Sequence, residues 1–557
     1  KIPPMAPADI DESAAPDGRV VLVLVLGDVG RSPRMQYHAL SLAEAAGTQV
    51  VLCGLRGERL LAALEEHKNV TCKLLDAAPL PRPRSGLLFP FYAFLKVFLQ
   101  LAQLLWLLLV DAPRADVILV QTPPAIPALA VVWLTRAVRG SYIVADWHNL
   151  GYSVLAQGGF GFRHPIVRFY CAFERFFGQT FNNHLCVTEA MRTWLQREWA
   201  VDARVLYDRP PAFFAELPVS ERHTLFRRLR PFFRDSSGDP IWPDAAPTRE
   251  GASGTNNLDS TEAAARDNPL PGAPSLSLES LPADSPWRDG ATPWTECDRS
   301  GAVLHRAAAP ALLVSSTSWT PDEDFEQLLQ ALVLLDRQLD AEKMKSTALK
   351  GSASATAASC PPSVVVVITG KGPLKEHFLA RMRQTPLIHI RIATMWLSPQ
   401  DYPRLLGSAD LGVCLHASTS GLDLPMKILD MFGSKLPVCA RNFTCISELV
   451  KHDVNGFVFD SAEQLSAQLF SLLSPTPEAA TALQALRRRL VASEASRPRW
   501  EQNWRATAGP MLLRTRSRAF SPLLMRQAGL SATLAAIGIG ICLSQQTVYS
   551  MLSPGTP

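Results

Sequence analysis

Between Ser408 and Pro437 a short apolar run, Leu411–Leu415, passes into a polar, glycine-bearing loop. A helical pattern then opens behind Pro425, with Lys427 and Asp430 near its start. Free N–H groups at a helix N-terminus, hydroxyls, one cation and carboxylates hold phosphates and sugar hydroxyls. Asp423 and Asp430 are candidates to accept bonds from ribose or hexose hydroxyls, and Glu448, before Asn455-Gly456, is a third. Two other strand ends add to this set. Ser315-Ser316-Thr317-Ser318-Trp319 offers hydroxyls, and Thr369-Gly370-Lys371-Gly372-Pro373 sets a lysine between two glycines. Each suits a diphosphate held by backbone N–H groups, with Lys371 or Lys427 supplying charge.

A second constellation lies nearer the N-terminus. The run Leu26-Gly27-Asp28-Val29-Gly30-Arg31 ends an apolar strand pattern. Gly27 and Gly30 would let backbone approach a ligand, and Arg31 would neutralise an anion. Asp146-Trp147-His148-Asn149 follows another strand pattern. A carboxylate, an imidazole and an amide at a strand end can take a proton or hold sugar hydroxyls. Asp28 and His148 are both candidates for a general base, and the residues alone do not choose between them.

These groups need a scaffold that delivers strand ends to one place. From Arg19 onward, apolar runs alternate with helical periodicity, the signature of a parallel α/β sheet. Strands are expected at Val20–Leu26, Gln49–Cys53, Val70–Leu75, Asp116–Gln121, Tyr142–Asp146 and His184–Thr188, with helices at Met35–Ala46, Ile126–Val138 and Pro165–Phe177. A second set has strands at Leu312–Thr317, Ser363–Thr369, Ile388–Ala393, Leu411–Leu415 and Pro437–Cys439. Its helices are Asp322–Asp336, Leu374–Arg383, Pro399–Leu406, Met426–Phe432 and Ala462–Leu473. The fold class is therefore α/β, two doubly wound Rossmann-like domains facing a cleft outside the carboxyl ends of their strands. The expected organisation is a first domain at 19–205, a linker with an insertion at 206–310, a second domain at 311–475, a helical brace at 476–515 and an apolar tail at 516–557. Asp235–Ala307 and Ala341–Pro362 are rich in small and polar residues and are expected to be disordered.

Composition narrows the function classes. A net charge of +4 over 557 residues is too mild for a dedicated nucleic-acid binder, so no nucleic-acid partner is expected. Ten cysteines are scattered without Cys-x-x-Cys pairs or metal-ligand spacing, which fits a reduced, cytosol-facing protein with no structural zinc. The sequons at Asn69 and Asn442 fall within expected packed segments and read as chance occurrences. No signal-peptide pattern follows Lys1, and an opening Lys rather than Met leaves room for a preceding anchor. Leu87–Val110 is the most apolar stretch, with Lys96, Gln100 and Gln103 at i, i+4 and i+7. One polar stripe on such a helix suits a membrane interface better than a span. Ala528–Leu543 is apolar but short for a span.

Five motifs carry a family resemblance: Leu26-Gly-Asp-Val-Gly-Arg-Ser-Pro-Arg-Met-Gln-Tyr-His38, Asp146-Trp-His-Asn149, Ser315-Ser-Thr-Ser-Trp-Thr320, Ile368-Thr-Gly-Lys-Gly-Pro373 and Gly421-Leu-Asp-Leu-Pro-Met-Lys427. Together, over Val20–Tyr207 and Ala311–Leu473, the chain resembles the chitobiosyldiphosphodolichol β-mannosyltransferases. The resemblance implies a GT-B fold and transfer of mannose from GDP-mannose to dolichyl-diphosphate-chitobiose. It implies inversion to a β1,4 linkage on the cytosolic face of the endoplasmic reticulum membrane, without cofactor or metal. Later mannosyltransferases of the same pathway are the protein partners it suggests. Two departures stand out. Where relatives of this fold hold the nucleotide with two Glu that have seven residues between them, this chain has Asp423 and Asp430 with six between, and only Asp430 is a fair counterpart. Where they often place an Arg and a Lys, it has Ser316 to Trp319. Two other readings remain open: a same-fold enzyme with another lipid-linked acceptor or retaining stereochemistry, and a membrane scaffold without catalysis.

Overall fold

The computed structural model describes residues 18–76, 89–241, 291–298, 300–350 and 362–513. In the first domain the strands are β1 (Arg19–Asp28), β2 (Thr48–Leu55), β3 (Val70–Leu75), β4 (Val117–Thr122), β5 (Tyr142–Trp147), β6 (Asn183–Cys186) and β7 (Ala203–Val205). Runs of valine, isoleucine and leucine place the central strands β1, β2, β4 and β5 in the interior, while the edge strand β3 is half-exposed. Among the described residues the sheet order is β3-β2-β1-β4-β5-β6-β7, all pairs parallel. The helices are α1 (Pro33–Ala43), α2 (Ala62–Glu65), α3 (Phe89–Trp106), α4 (Ala128–Arg139), α5 (Gly151–Leu155), α6 (Pro165–Thr180) and α7 (Glu189–Trp199). One core packs α3, α4 and α6 on one sheet face, and another packs α1 on the opposite face.

α8 (Val219–Leu229) and a hairpin of β8 (Thr295–Cys297) and β9 (Val303–His305) lead into the second domain. Its strands are β10 (Ala311–Ser316), β11 (Val364–Thr369), β12 (Ile390–Met395), β13 (Leu411–Cys414), β14 (Val438–Arg441) and β15 (Gly456–Phe459). They pair in the order β12-β11-β10-β13-β14-β15, again parallel. α9 (Phe325–Lys350), α10 (Lys375–Arg383), α11 (Asp401–Leu406), α12 (Met426–Gly433) and α13 (Ala462–Leu473) flank this sheet. The expected architecture of two doubly wound domains is thus observed. α14 (Pro477–Ala495) packs beside α13, while α15 (Trp500–Thr507) and α16 (Gly509–Leu512) return to the first domain, where Trp500, Trp504 and Leu512 join the core around α1.

Three expectations need correction. Asp235–Ala307 is not disordered throughout. Residues 242–290 lie outside the described residues, but the hairpin at the far end is ordered. Trp294 is buried there against Phe226, ring centroids 4.4 Å apart, and its indole N–H donates to Pro310 O at 2.8 Å. An average over a polar window conceals one aromatic anchor with hydrogen-bonding capacity. α9 likewise runs on to Lys350, into the second expected insertion. The third concerns the apolar stretch, of which 87–88 lie outside the described residues. As expected, no described helix is long and apolar enough to cross a membrane, but the polar stripe does not all face water: Gln100 is only 9% exposed. Ala528–Leu543 lies outside the described residues.

Candidate active site

Asp146 sits at the end of β5 with no solvent exposure, at the centre of a polar cluster. Arg34, on α1, grips it with two bonds: Nε donates to Oδ2 at 2.7 Å and Nη2 to Oδ1 at 2.9 Å. Arg34 Nη1 also donates to Leu206 O at 2.7 Å and Asp208 Oδ1 at 2.9 Å, tying β5 to the residues beyond β7. Burial by itself would raise the Asp146 carboxyl, but Arg34, His148 and their hydrogen bonds hold it well below the usual range. For Arg34, too, burial opposes the charge, and Asp146 and Asp208 outweigh it, so the guanidinium is strengthened. A buried charge pair with all three guanidinium nitrogens engaged is the arrangement that tolerates a dry site.

His148, two residues on, approaches the same carboxylate, Nε2 to Oδ2 at 2.9 Å. Since Asp146 is an anion, that ring nitrogen carries the proton and Nδ1 keeps its lone pair. The side chain is one-fifth exposed, and Nδ1 makes no hydrogen bond among the described residues. His38, fully buried on α1, is a third neighbour, Nε2 to Oδ2 at 3.3 Å. Trp504 fixes its tautomer: the indole N–H of α15 donates to His38 Nδ1 at 2.9 Å. An indole is only a donor, so Nε2 carries the His38 proton, beside Asp146 but without the alignment of a hydrogen bond. Burial lowers the basicity of His38, keeping it neutral. The chain Trp504, His38, Asp146, His148 therefore runs from the C-terminal helices to the end of β5.

Asp28 is placed differently. Its Oδ1 accepts from Gly30 N at 2.9 Å, and both oxygens accept from Glu58 N at 3.1 and 3.0 Å. Arg31 Nε lies 3.4 Å away, and Arg31, largely exposed, also pairs with Glu58 at 3.2 Å. The close approach expected at Gly30 is made, but to the Glu58 carbonyl, which a Cβ would meet at 2.3 Å. Asp28 closes the turn after β1 onto the loop after β2.

Across the cleft, Lys427 at the start of α12 pairs with the buried Glu323, whose carboxylate also accepts from Thr317 Oγ1 and from Ser318 N at 2.7 Å. α12 has no side-chain cap at its first turn, so its N–H groups are open to an anion. Ser316 Oγ bonds the Tyr402 hydroxyl at 3.1 Å, and that hydroxyl lies 3.5 Å from Asp430 Oδ2. Burial pushes the Asp430 acid up to about 7, against the pull of Tyr402 and Lys427. Asp423 accepts from Ser418 and Ser420, and burial raises it too. Lys371 extends over the exposed ring of Trp396, 4.5 Å from its centroid. Gly370, at φ +141°, and Gly372 lie so close to Thr317 O and Ser318 O that a Cβ at either would come within 1.8 Å. The turns after β10 and β11 are thus stacked backbone to backbone.

Glu448 is engaged by the first domain. Its oxygens accept from Glu189 N, Ala190 N and the Tyr207 hydroxyl, each at 2.8 Å. It caps α7 of the opposite domain, a carboxylate at a helix N-terminus being favourable there. Asn149 donates to Thr419 Oγ1 at 3.2 Å and Gln157 to Thr419 O at 2.8 Å, while Thr188 Oγ1 donates to Leu422 O. The second domain's loop ahead of α12 therefore touches the first domain beside His148. Arg34, His38, Glu323, Tyr402, Trp396 and Trp504 were not singled out by type and spacing. Arg34 and His38 at i, i+4 on the helix after β1 were the one available signal.

The paired sheets and this cleft define a glycosyltransferase of the GT-B class. The sucrose-phosphate synthase of Thermosynechococcus elongatus superposes with a TM-score of 0.52 at 13% identity, covering 92% of this chain and all of that one. A family model described as glycosyl transferases group 1 matches residues 347–475. The chitobiosyldiphosphodolichol beta-mannosyltransferase of Mus musculus is 43% identical over 500 residues, covering 89% of each chain. That of Homo sapiens is 40% identical over 506 residues, 89% of this chain and 93% of the relative. The chain belongs to the chitobiosyldiphosphodolichol β-mannosyltransferase family.

Proposed function

We propose that the protein transfers mannose from GDP-mannose to dolichyl-diphosphate-chitobiose with inversion, on the cytosolic face of the endoplasmic reticulum membrane. Family membership supports the acceptor and the sugar. The observation that carries the mechanism is the Asp146–His148 pair. With Nε2–H engaged by a buried anion, Nδ1 is the base that takes the proton from the attacking acceptor hydroxyl as its oxygen bonds to C1. The C1–phosphate bond breaks on the opposite side, and GDP departs. The Asp146 charge stabilises the imidazolium that forms, as preorganised electrostatics should. Asp28, whose oxygens are spent on backbone N–H groups, is the weaker candidate.

On the donor side, the open first turn of α12 and Lys427, held by Glu323, receive the diphosphate, with Lys371 adding charge. Ser316, Thr317 and Asp423 line the approach, and Asp430 serves a ribose hydroxyl. Trp396 offers a face for the nucleobase. Gly27, Gly30, Arg31 and Asn149 border the acceptor side. Later mannosyltransferases of the pathway are candidate neighbours. The test is transfer from GDP-mannose to phytanyl- or dolichyl-diphosphate-chitobiose, with wild type beside His148→Ala and Asp28→Ala. A β1,4 product that His148→Ala abolishes while GDP still binds supports the reading. No product despite measurable GDP-mannose binding sinks it.

A further inference from the structure

We propose that α3, α4 and α6 together form one docking face for an anionic lipid bilayer, not α3 alone. On α3 and the turn that follows it, Phe98, Ala102, Trp106 and Val110 recur every four residues and are all exposed, Trp106 at 63%. That spacing makes a single stripe. The stripe turned outward is thus apolar, while Gln100 is turned in, the reverse of a water-facing helix. α4 packs beside α3 and exposes Leu134 and Val138, the latter at 58%; α6 packs beside α4 and exposes Phe176, with Phe162 exposed just before it. Isolated exposed apolar residues are ordinary, but a set spread over three adjoining helices marks an interaction surface.

Charge decides the partner. Arg163, Arg168 and Arg175 are exposed and make no ion pair among the described residues. α3, α4 and α6 carry no exposed carboxylate, and Asp111, exposed in the turn after α3, is paired with Lys73 at 2.8 Å. The one acid on these three helices, Glu174, is fully buried and accepts from Gly151 N at 2.9 Å and Tyr152 N at 3.1 Å. An ordinary soluble surface intersperses both signs. Aromatic and aliphatic side chains among unpaired arginines suit the headgroup layer of an anionic bilayer. A second copy would bring like charge against like across a two-fold axis. Phe162 and Arg163 lie at the end of the sheet where His148 sits, so docking would lay the cleft rim against the lipid. This rests on the lipid-linked acceptor proposed above.

The test compares the full chain with the variant Leu134→Ser/Val138→Ser/Arg168→Glu/Arg175→Glu. Co-sedimentation uses phosphatidylcholine vesicles with and without phosphatidylserine, at low and high salt. Transfer to a short-chain, detergent-free acceptor is measured alongside. Wild-type binding should rise with phosphatidylserine and fall with salt, and the variant should bind about tenfold less tightly. Its transfer to the short-chain acceptor should be unchanged, which also certifies its fold. The charge-only pair Arg168→Glu/Arg175→Glu replaces it if that check fails. Three outcomes overturn the proposal: wild-type binding by the variant, which would leave α3 or residues 514–557 as the contact; indifference of the wild type to anionic lipid; or a drop in oligomeric mass in the variant, which would assign the face to a second copy. Should the wild type bind vesicles yet fail to transfer to any acceptor, the functional reading falls instead.

Discussion

His148 owes its aptitude as a base to the groups that converge on Asp146. Removing the imidazole deletes the proton acceptor but leaves the Arg34–Asp146 pair, so His148→Ala should fold. Its single-turnover transfer should fall about 10²–10⁴-fold, with GDP affinity unchanged by calorimetry. Asp28→Ala should do the opposite. It removes the acceptor of the Gly30 and Glu58 N–H groups, which water then solvates, lowering stability by about 0.5–1.5 kcal/mol in thermal melts while transfer persists. Asp430 adds a pH dependence. Its folded-state acid is raised to about 7 from an ordinary 3.8, so the folded protein keeps a proton the unfolded chain releases between those values. The resulting stabilisation is present below pH 4 and is lost as pH rises through 7. The melting temperature of the wild type should therefore decline across that window more steeply than that of Asp430→Asn. Parallel curves would exclude the assignment.

At the scale of elements, α15 acts at a distance. It belongs by sequence to the C-terminal helices, yet it delivers Trp504 to His38 and Trp500 to Ser41, the latter at 3.0 Å. Trp504→Phe keeps the ring and removes the N–H, freeing His38 to take the other tautomer and withdraw its proton from Asp146. The expected loss is about 1 kcal/mol, roughly fivefold in kcat with KM unchanged. A pure stability defect with kcat intact would count against this role. Sequence periodicity located most of the helices and strands around the site because burial on one face or both leaves a repeating pattern. It missed β7, β8 and β9, which are three residues long and too short for a period to register, and β15, which has four.

At the scale of the molecule, the two domains meet through few groups, and Glu448 supplies three of the bonds. Glu448→Ala leaves Thr188 as the N-cap of α7 but removes the acceptor for the Glu189 and Ala190 N–H groups and for the Tyr207 hydroxyl. Loss of charge-assisted bonds worth about 1.5–3 kcal/mol each, offset by solvation of the freed donors, should raise KM for both substrates about tenfold. The radius of gyration in scattering should rise as the cleft opens, because interfaces of this polar kind permit domain motion. An unchanged radius with raised KM would shift the role to the local cap.

The sequence by itself determined the two parallel α/β domains, the strand ends that face the cleft and the pair Asp146 and His148. These follow from apolar runs and from residue types adjacent in the chain. It also suggested Asp28 as a base and Glu448 as a sugar ligand, since a carboxylate at a strand or helix end looks alike whether it meets a substrate or a backbone N–H. Only the tertiary structure shows that both carboxylates meet backbone N–H groups. Arg34, His38 and Trp504 lie between 108 and 358 positions from Asp146, and no spacing rule links residues that meet only when sheets close and a C-terminal helix returns. The same holds for α3, whose amphipathic pattern was legible but whose direction was not, because periodicity defines a stripe without saying which side the core will take.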